Sequence, residues 1–178
     1  KEIFVNTHYE FEKIHEHIKE NQLNITPIHE ENLLDIGGGI HNLASTLKYN
    51  GRLLILNGDQ FLFFDDAALD EFFDKSLKCE VTLMGIEVLK GSNYNELIIE
   101  NEKLRDIRAP SETTPEKYLT YSGVSIVNMD HLSPVKGSSK FFDSVAKYRD
   151  GCVEVIAPHE VEYSDFGRIR SGTKTPFN

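Results

Sequence analysis

Arg52-Leu53-Leu54-Ile55-Leu56-Asn57-Gly58-Asp59 decides the fold. After Arg52, four consecutive apolar residues, Leu53–Leu56, mark a central strand covered on both faces. The run stops at once on Asn-Gly, and an aspartate follows. In open α/β sheets ligands bind beyond the carboxyl ends of the strands. A carboxylate emerging there can hold a metal, and the glycine lets a ligand come close to the backbone. Alone, the tripeptide Asn57-Gly58-Asp59 also reads as a turn with a solvated aspartate.

Strand and helix signals alternate upstream of this run. Glu2–Val5 is a short apolar strand. Phe11, Ile14, His15 and Ile18 recur at helical spacing, so residues 9–21 read as a helix. Ile25–Ile28 is a second short strand. The loop Glu30–Gly39 ends in three glycines, and a helix is predicted from Gly38 to Tyr49, stopped by Asn50-Gly51. Glycines at a helix start expose backbone N–H groups to a flat or anionic ligand. Downstream, Asp65 or Asp66 caps a helix carrying Leu69, Phe72 and Phe73. To this point the order indicates a parallel α/β sheet. Then the pattern changes. Val81–Val88, Glu96–Glu100, Lys103–Ile107 and Tyr118–Val127 read as strands, and Asn101-Glu102 turns the middle two into a hairpin. Ala109–Pro115 is a loop, Ser139–Tyr148 a helix, and Cys152–Ile156 and Val161–Tyr163 close the series as strands. Gly123, inside a strand, marks a bulge or the close approach of a ligand such as a sugar.

The chain has 178 residues, 39% apolar and 27% charged, which suits one folded domain with a proper core. No apolar run reaches the length of a membrane span, and no signal peptide is read at the N-terminus. The formal net charge of −10 argues against nucleic-acid binding, which depends on neutralising phosphates with Lys and Arg. It leaves a nucleotide substrate open, since bound Mg²⁺ supplies local positive charge. Cys79 and Cys152 read as reduced core thiols, and a cytoplasmic location is expected. The histidines show no metal-ligand spacing; His8 and His41 read as solvated or capping.

In order, these pieces resemble the sugar-1-phosphate nucleotidyltransferase family. Val5-Asn6-Thr7-His8-Tyr9 looks like its second strand and exit. Glu31-Asn-Leu-Leu-Asp-Ile-Gly-Gly-Gly-Ile40 is similar to E-x-L-L-E-T-G-G-G-I of the bacterial hexose-1-phosphate and N-acetylmuramate-1-phosphate branch. Leu54–Asp59 resembles the strand and metal-binding aspartate, and Tyr121-Ser-Gly-Val-Ser-Ile126 the (T/N)-x-G-I sugar strand. Tyr163-Ser-Asp-Phe-Gly167 resembles W-x-D-x-G-T, which carries a second metal aspartate. Ile36, Tyr163 and Arg168 depart from these patterns.

The resemblance implies an α/β, Rossmann-like, GT-A-like fold with a mixed, mainly parallel sheet flanked by helices. It spans a nucleotidyltransferase domain over residues 1–170, with 171–178 as a tail. It implies transfer of a nucleotidyl group from an NTP to a sugar 1-phosphate, giving an NDP-sugar and pyrophosphate. Asp59 and Asp165 would hold Mg²⁺ and carry the catalysis. Gly37, Gly38, Glu31, Asn57 and Gly58 would contact the nucleotide, and Tyr121 and Gly123 the sugar. UTP is the favoured nucleotide, and a homodimer is allowed. Gly38→Val is expected to fill the base site while the fold survives. The family's first strand and its G-x-G-x-R-x-x-P-x-T loop have no counterpart in this sequence, so the chain alone is expected to be inactive. Two other classes stay open. One is a non-catalytic nucleotide-sugar-binding or regulatory domain. The other is cytidylyl or guanylyl transfer to a non-sugar phosphate on the same fold.

Overall fold

A computed structural model describes residues 2–158 and 161–165. In chain order the elements are β1 (Phe4–Thr7), α1 (Phe11–Glu20), β2 (Thr26–His29), α2 (Asp35–Leu47), β3 (Arg52–Leu56), β4 (Gln60–Phe63) and α3 (Asp66–Ser76). They continue with β5 (Val81–Leu89), β6 (Glu96–Glu100), β7 (Lys103–Arg108), β8 (Lys117–Asn128), α4 (Phe141–Ser144), β9 (Val153–Ile156) and β10 (Glu162–Asp165). The chain forms two compact units. One holds the residues up to Gly51 with Met129–Lys147, and the other holds Arg52–Asn128 with the residues from Tyr148 onward.

The first unit begins as a β-α-β crossover. β1 and β2 run parallel in the register Phe4↔Thr26 to Thr7↔His29, and parallel neighbours need a crossing segment, here α1. Phe11, on the apolar side of α1, lays its ring 4.0 Å from that of His29. α2 starts at Asp35, so the glycine triplet lies within its first turns instead of leading up to them. α2 ends on Lys48, whose left-handed φ of 49° closes the helix. The helix predicted over Ser139–Tyr148 contracts to Phe141–Ser144. Ser139 and Ser144 bond each other's hydroxyls at 2.8 Å, and Ser144 also donates to the Lys140 carbonyl at 3.1 Å. Such local side-chain bonds compete with helix continuation.

The second unit is built on a six-stranded mixed sheet in the order β3-β8-β5-β9-β7-β6. β5 and β9 pair parallel, and the other neighbours pair antiparallel. The twelve-residue β8 is its spine, with Val124, Ile126 and Val127 all buried. Phe72 of α3 packs with Met84, Val124, Ile126 and Ile156 to form the core. Asp65 caps α3 by accepting the Ala68 N–H at 2.7 Å. The β6–β7 hairpin turns on Asn101 and Glu102, whose φ values of 52° and 63° suit the turn that matches strand twist.

β4 is an addition to the sequence reading. It pairs antiparallel with β10, a hundred residues downstream, as a separate ribbon. The cysteine reading is corrected: Cys79 and Cys152 form a disulfide with Cα atoms 5.4 Å apart. The parallel register Val81↔Val153 sets the residues before β5 and β9 side by side, which their separation in sequence conceals. No described helix is long and apolar enough to cross a membrane. The proposed tail 171–178 lies outside the described residues, as do Phe166, Gly167 and Arg168.

Candidate functional site

In the first unit the chemistry gathers around the start of α2. Glu30 is 3% exposed, and its carboxylate accepts from the Asn6 side-chain amide at 3.2 Å and from the Leu34 N–H at 3.4 Å. A Cβ on Gly39 would stand 2.8 Å from Glu30 Oε1, so Gly39 makes room for this clamp. His8 donates from Nδ1 to the Glu30 carbonyl at 2.8 Å. Glu30, which the sequence offers beside Glu31 as a candidate reader of the base, is instead a buried anchor bonded to Asn6 and Leu34. Glu31, the residue assigned to the nucleotide, is exposed beside it. His41 is buried, contrary to the solvated or capping reading. Burial lowers its pKa, the Ser144 backbone hydrogen bond opposes that, and the Lys147 charge adds to it.

Gly37 and Gly38 face the segment 137–144 of the same unit. A Cβ on Gly37 would meet Ser144 Oγ, the Lys140 carbonyl and the Ser139 carbonyl at 2.5, 2.6 and 2.7 Å. On Gly38 it would meet the Gly137 carbonyl at 2.5 Å. The Gly38 N–H already donates to the Ser139 carbonyl at 3.0 Å, and the Ser139 N–H donates to Leu34 O at 3.0 Å. These contacts change what Gly38→Val does. The new side chain strikes backbone that cannot swing aside, so the cost falls on folding. A loss of about 1–3 kcal/mol is expected, typical of overpacking, read as a lower urea midpoint with unchanged slope. An unchanged midpoint would contradict the packing.

In the second unit the residues converge at the exit of β3. Asn57 follows β3 and donates its N–H to the Gly123 carbonyl of β8 at 3.1 Å. Gly58 and Asp59 are exposed, and nothing stands within 4 Å of a Cβ on Gly58. Gln60 then opens β4, where its Cα partner in the ladder is Asp165. Asp59 and Asp165 thus stand one residue out of register on adjacent backbones. Gln60 donates from Nε2 to the Tyr163 hydroxyl at 2.9 Å. Neither β4 nor this use of Gln60 was read from the sequence; its place directly after Asp59 was the available signal.

Gly123 sits where β8 bulges. Between Leu83↔Ser125 and Gly85↔Tyr121 the ladder spends four steps on β8 against two on β5. Gly123 has φ +85°, and the Asn57 and Gln60 side chains lie directly over it: a Cβ there would overlap Gln60 Oε1 and stand 2.7 Å from Asn57 Nδ2. Tyr121, two residues earlier, donates its hydroxyl to Ser125 Oγ at 3.0 Å. Burial pushes the Tyr121 pKa up, with the Ser125 hydrogen bond opposing, so the phenol is neutral at working pH.

The structure brings Asn57, Gly58, Asp59, Gly123 and the β10 backbone at Asp165 together within the second unit. Gly37, Gly38 and Glu31 belong to the first. Two carboxylate-bearing residues at a strand exit are an all-oxygen donor set, which suits a hard cation such as Mg²⁺.

No protein-family model matches the sequence, and no curated protein matches it. Solved structures do. HddC from Yersinia pseudotuberculosis complexed with GMP-PN is similar with a TM-score of 0.76 at 22% identity, over 94% of this chain and 73% of that one. A second HddC structure from Yersinia pseudotuberculosis gives 0.74 at 21%, over 93% and 73%. A proposed glucose-1-phosphate thymidylyltransferase from Bacillus anthracis, in complex with a sucrose, gives 0.70 at 17%, over 93% and 70%. The chain shares their α/β fold.

Proposed function

We propose that this chain is the nucleotidyl-transfer domain of a Mg²⁺-dependent sugar-1-phosphate nucleotidyltransferase. The observation that carries the reading is the β4–β10 pairing, which sets Asp165 opposite Gln60 and so beside Asp59 at the exit of β3. The shared fold with the thymidylyltransferase-like structure supports it.

In the reaction a sugar-phosphate oxygen attacks the α-phosphorus of an NTP in line. The P–O bond to the β-phosphate breaks, and pyrophosphate leaves with the electron pair. Such transfers rest on positioning and charge neutralisation more than on proton transfer. Mg²⁺ held by Asp59 and Asp165 would neutralise phosphate charge and clamp the reacting oxygens. This chain's own residues contribute to binding and orientation. Asn57 and Gly58 form a low wall at the phosphates, where Gly58 leaves the backbone open. Gly37, Gly38 and Glu31 are assigned to the nucleotide; with the Gly38 amide already bonded to Ser139, base reading falls more heavily on Glu31. Glu31 as a carboxylate accepts hydrogen bonds and so suits the N–H edge of a base. Gly123 and Tyr121 are assigned to the sugar, with the Tyr121 phenol held inward by Ser125.

UTP with a hexose or amino-sugar 1-phosphate is the first choice, from the resemblance of Leu33–Ile40. GTP is the second, because HddC was solved with GMP-PN. The test is pyrophosphate release by the protein carrying this sequence, with each of four NTPs and a panel of sugar 1-phosphates. One NDP-sugar per pyrophosphate, fastest with UTP, is expected. GTP in the lead moves the assignment to guanylyl transfer, and equal rates with all four remove any base preference. Nucleotide binding without pyrophosphate release would leave a binding domain instead.

A further inference from the structure

A second constellation lies in the same unit, at the start of β5 and β9. The Sγ atoms of Cys79 and Cys152 and a carboxylate oxygen of Glu154 all lie within 4.8 Å of one another. The register builds this cluster. The Val81 N–H donates to the Cys152 carbonyl at 3.2 Å, which brings the chain before β5 against the chain before β9. Cys152 and Glu154 are two residues apart on an extended strand and so share a face. Thr82 is the ladder partner of Glu154, which puts it on that face too.

The face carries unmet polar capacity. Glu154 Oε2 and Thr82 Oγ1 are both buried, and neither has a hydrogen-bond partner among the described residues. A buried carboxylate oxygen left unpaired costs more than an exposed one, because water no longer solvates it. Lys75, whose charge acts on Glu154, bonds Glu102 at 2.5 Å, and Lys103, the ladder partner of Glu154 on β7, is exposed. The disulfide leaves the carboxylate unsatisfied, because a disulfide sulfur has no hydrogen to donate and carries no charge.

We propose that, once reduced, Cys79, Cys152 and Glu154 hold one thiophilic divalent cation of the zinc class, with a fourth position open to water. Two thiolates and a carboxylate form a donor set that tetrahedral Zn²⁺ accepts, and thiolate is the ligating form of cysteine. The disulfide and the metal exclude each other, since the same sulfurs serve both. Opening takes two electrons: a phosphine reductant and one water convert the S–S bond to two thiols and a phosphine oxide. The cation then displaces both thiol protons to solvent, and the Glu154 carboxylate gains its missing partner.

The test uses the whole protein carrying this sequence, reduced with a phosphine, freed of reductant without air, and titrated with Co²⁺ as the spectroscopic probe. One Co²⁺ per chain is expected, with thiolate-to-cobalt charge-transfer and tetrahedral ligand-field bands that vanish on adding Zn²⁺. The oxidised protein should show neither band, a comparison that needs no substitution. Cys79→Ser and Cys152→Ser should each remove the charge-transfer band of the intact site. Glu154→Gln, with both thiols still titrating, should weaken binding at least about tenfold. Two free thiols with no charge-transfer band would overturn the site, as would a disulfide that resists reduction in the folded protein. Unchanged Co²⁺ affinity in the Glu154→Gln variant would overturn the three-ligand set.

Discussion

On the proposed function, Asp59→Asn in the whole protein carrying this sequence is expected to lower nucleotidyl transfer on the order of 10²–10³-fold, the cost typical of deleting one group that stabilises transition-state charge. Folding stability barely moves. Asp59 is exposed at the exit of β3, and among the described residues its carboxylate takes part in no hydrogen bond or ion pair. The amide keeps the size and shape of the side chain but cannot supply anionic charge to a cation. Raising the Mg²⁺ concentration should recover part of the rate if the loss lies in metal affinity. Asp165→Asn should act on the same step, and the double variant should lose far less than the product of the two single losses, because residues acting as a unit are non-additive. The measurements are pyrophosphate release and urea unfolding on the same preparations. A loss below about fivefold in the single Asp59 variant, or losses that multiply in the double variant, would break the pairing of the two aspartates.

Gly123→Ala carries the largest expected loss of stability. Two effects add. At φ +85° an L side chain is strained, and such strain costs about 1–3 kcal/mol. The methyl group also displaces two side-chain ends, since it overlaps Gln60 Oε1 and presses Asn57 Nδ2 at 2.7 Å. Gln60 is tethered through Nε2 to the Tyr163 hydroxyl, so moving its Oε1 aside strains that bond. The combined loss is expected at about 2–4 kcal/mol, read from the urea midpoint. Gly58→Ala is the matched control. It lies one residue past Asn57, has no neighbour within 4 Å and has no left-handed φ, so it should change stability by less than about 0.5 kcal/mol. Equal midpoints for the two variants would show that Asn57 and Gln60 do not close over β8. If the Gly123 variant folds at low temperature, its sugar-phosphate KM should rise more than its nucleotide KM, since Gly123 is assigned to the sugar.

Local physics made part of this legible. The helical spacing of Phe11, Ile14 and Ile18, the Asp65 cap and the Asn101-Glu102 turn each announce an element within a few residues, and each is found. Arg52–Leu56 is a strand too, but among the described residues it lies at the edge of the sheet with Leu54 and Leu56 exposed, not central and covered on both faces. The order of five short motifs pointed to the α/β fold that the solved structures share. Helix boundaries were less legible. α2 takes in three glycines that disfavour helix, because burial of Gly37 and Gly38 against 137–144 outweighs their propensity.

The sequence by itself determined the α/β class, the strand that leads to Asp59 and the residue types offered for charge and metal. Those follow from periodicity and from side-chain chemistry, which act at short range along the chain. Only the tertiary structure decided that Gln60–Phe63 is a strand, that Asp165 lies opposite Gln60, that Gly38 faces backbone, and that Cys79 meets Cys152 beside Glu154. Each of these depends on register between segments tens of residues apart or more. Register is set by the summed packing of whole strands, and no local stretch of sequence encodes that sum.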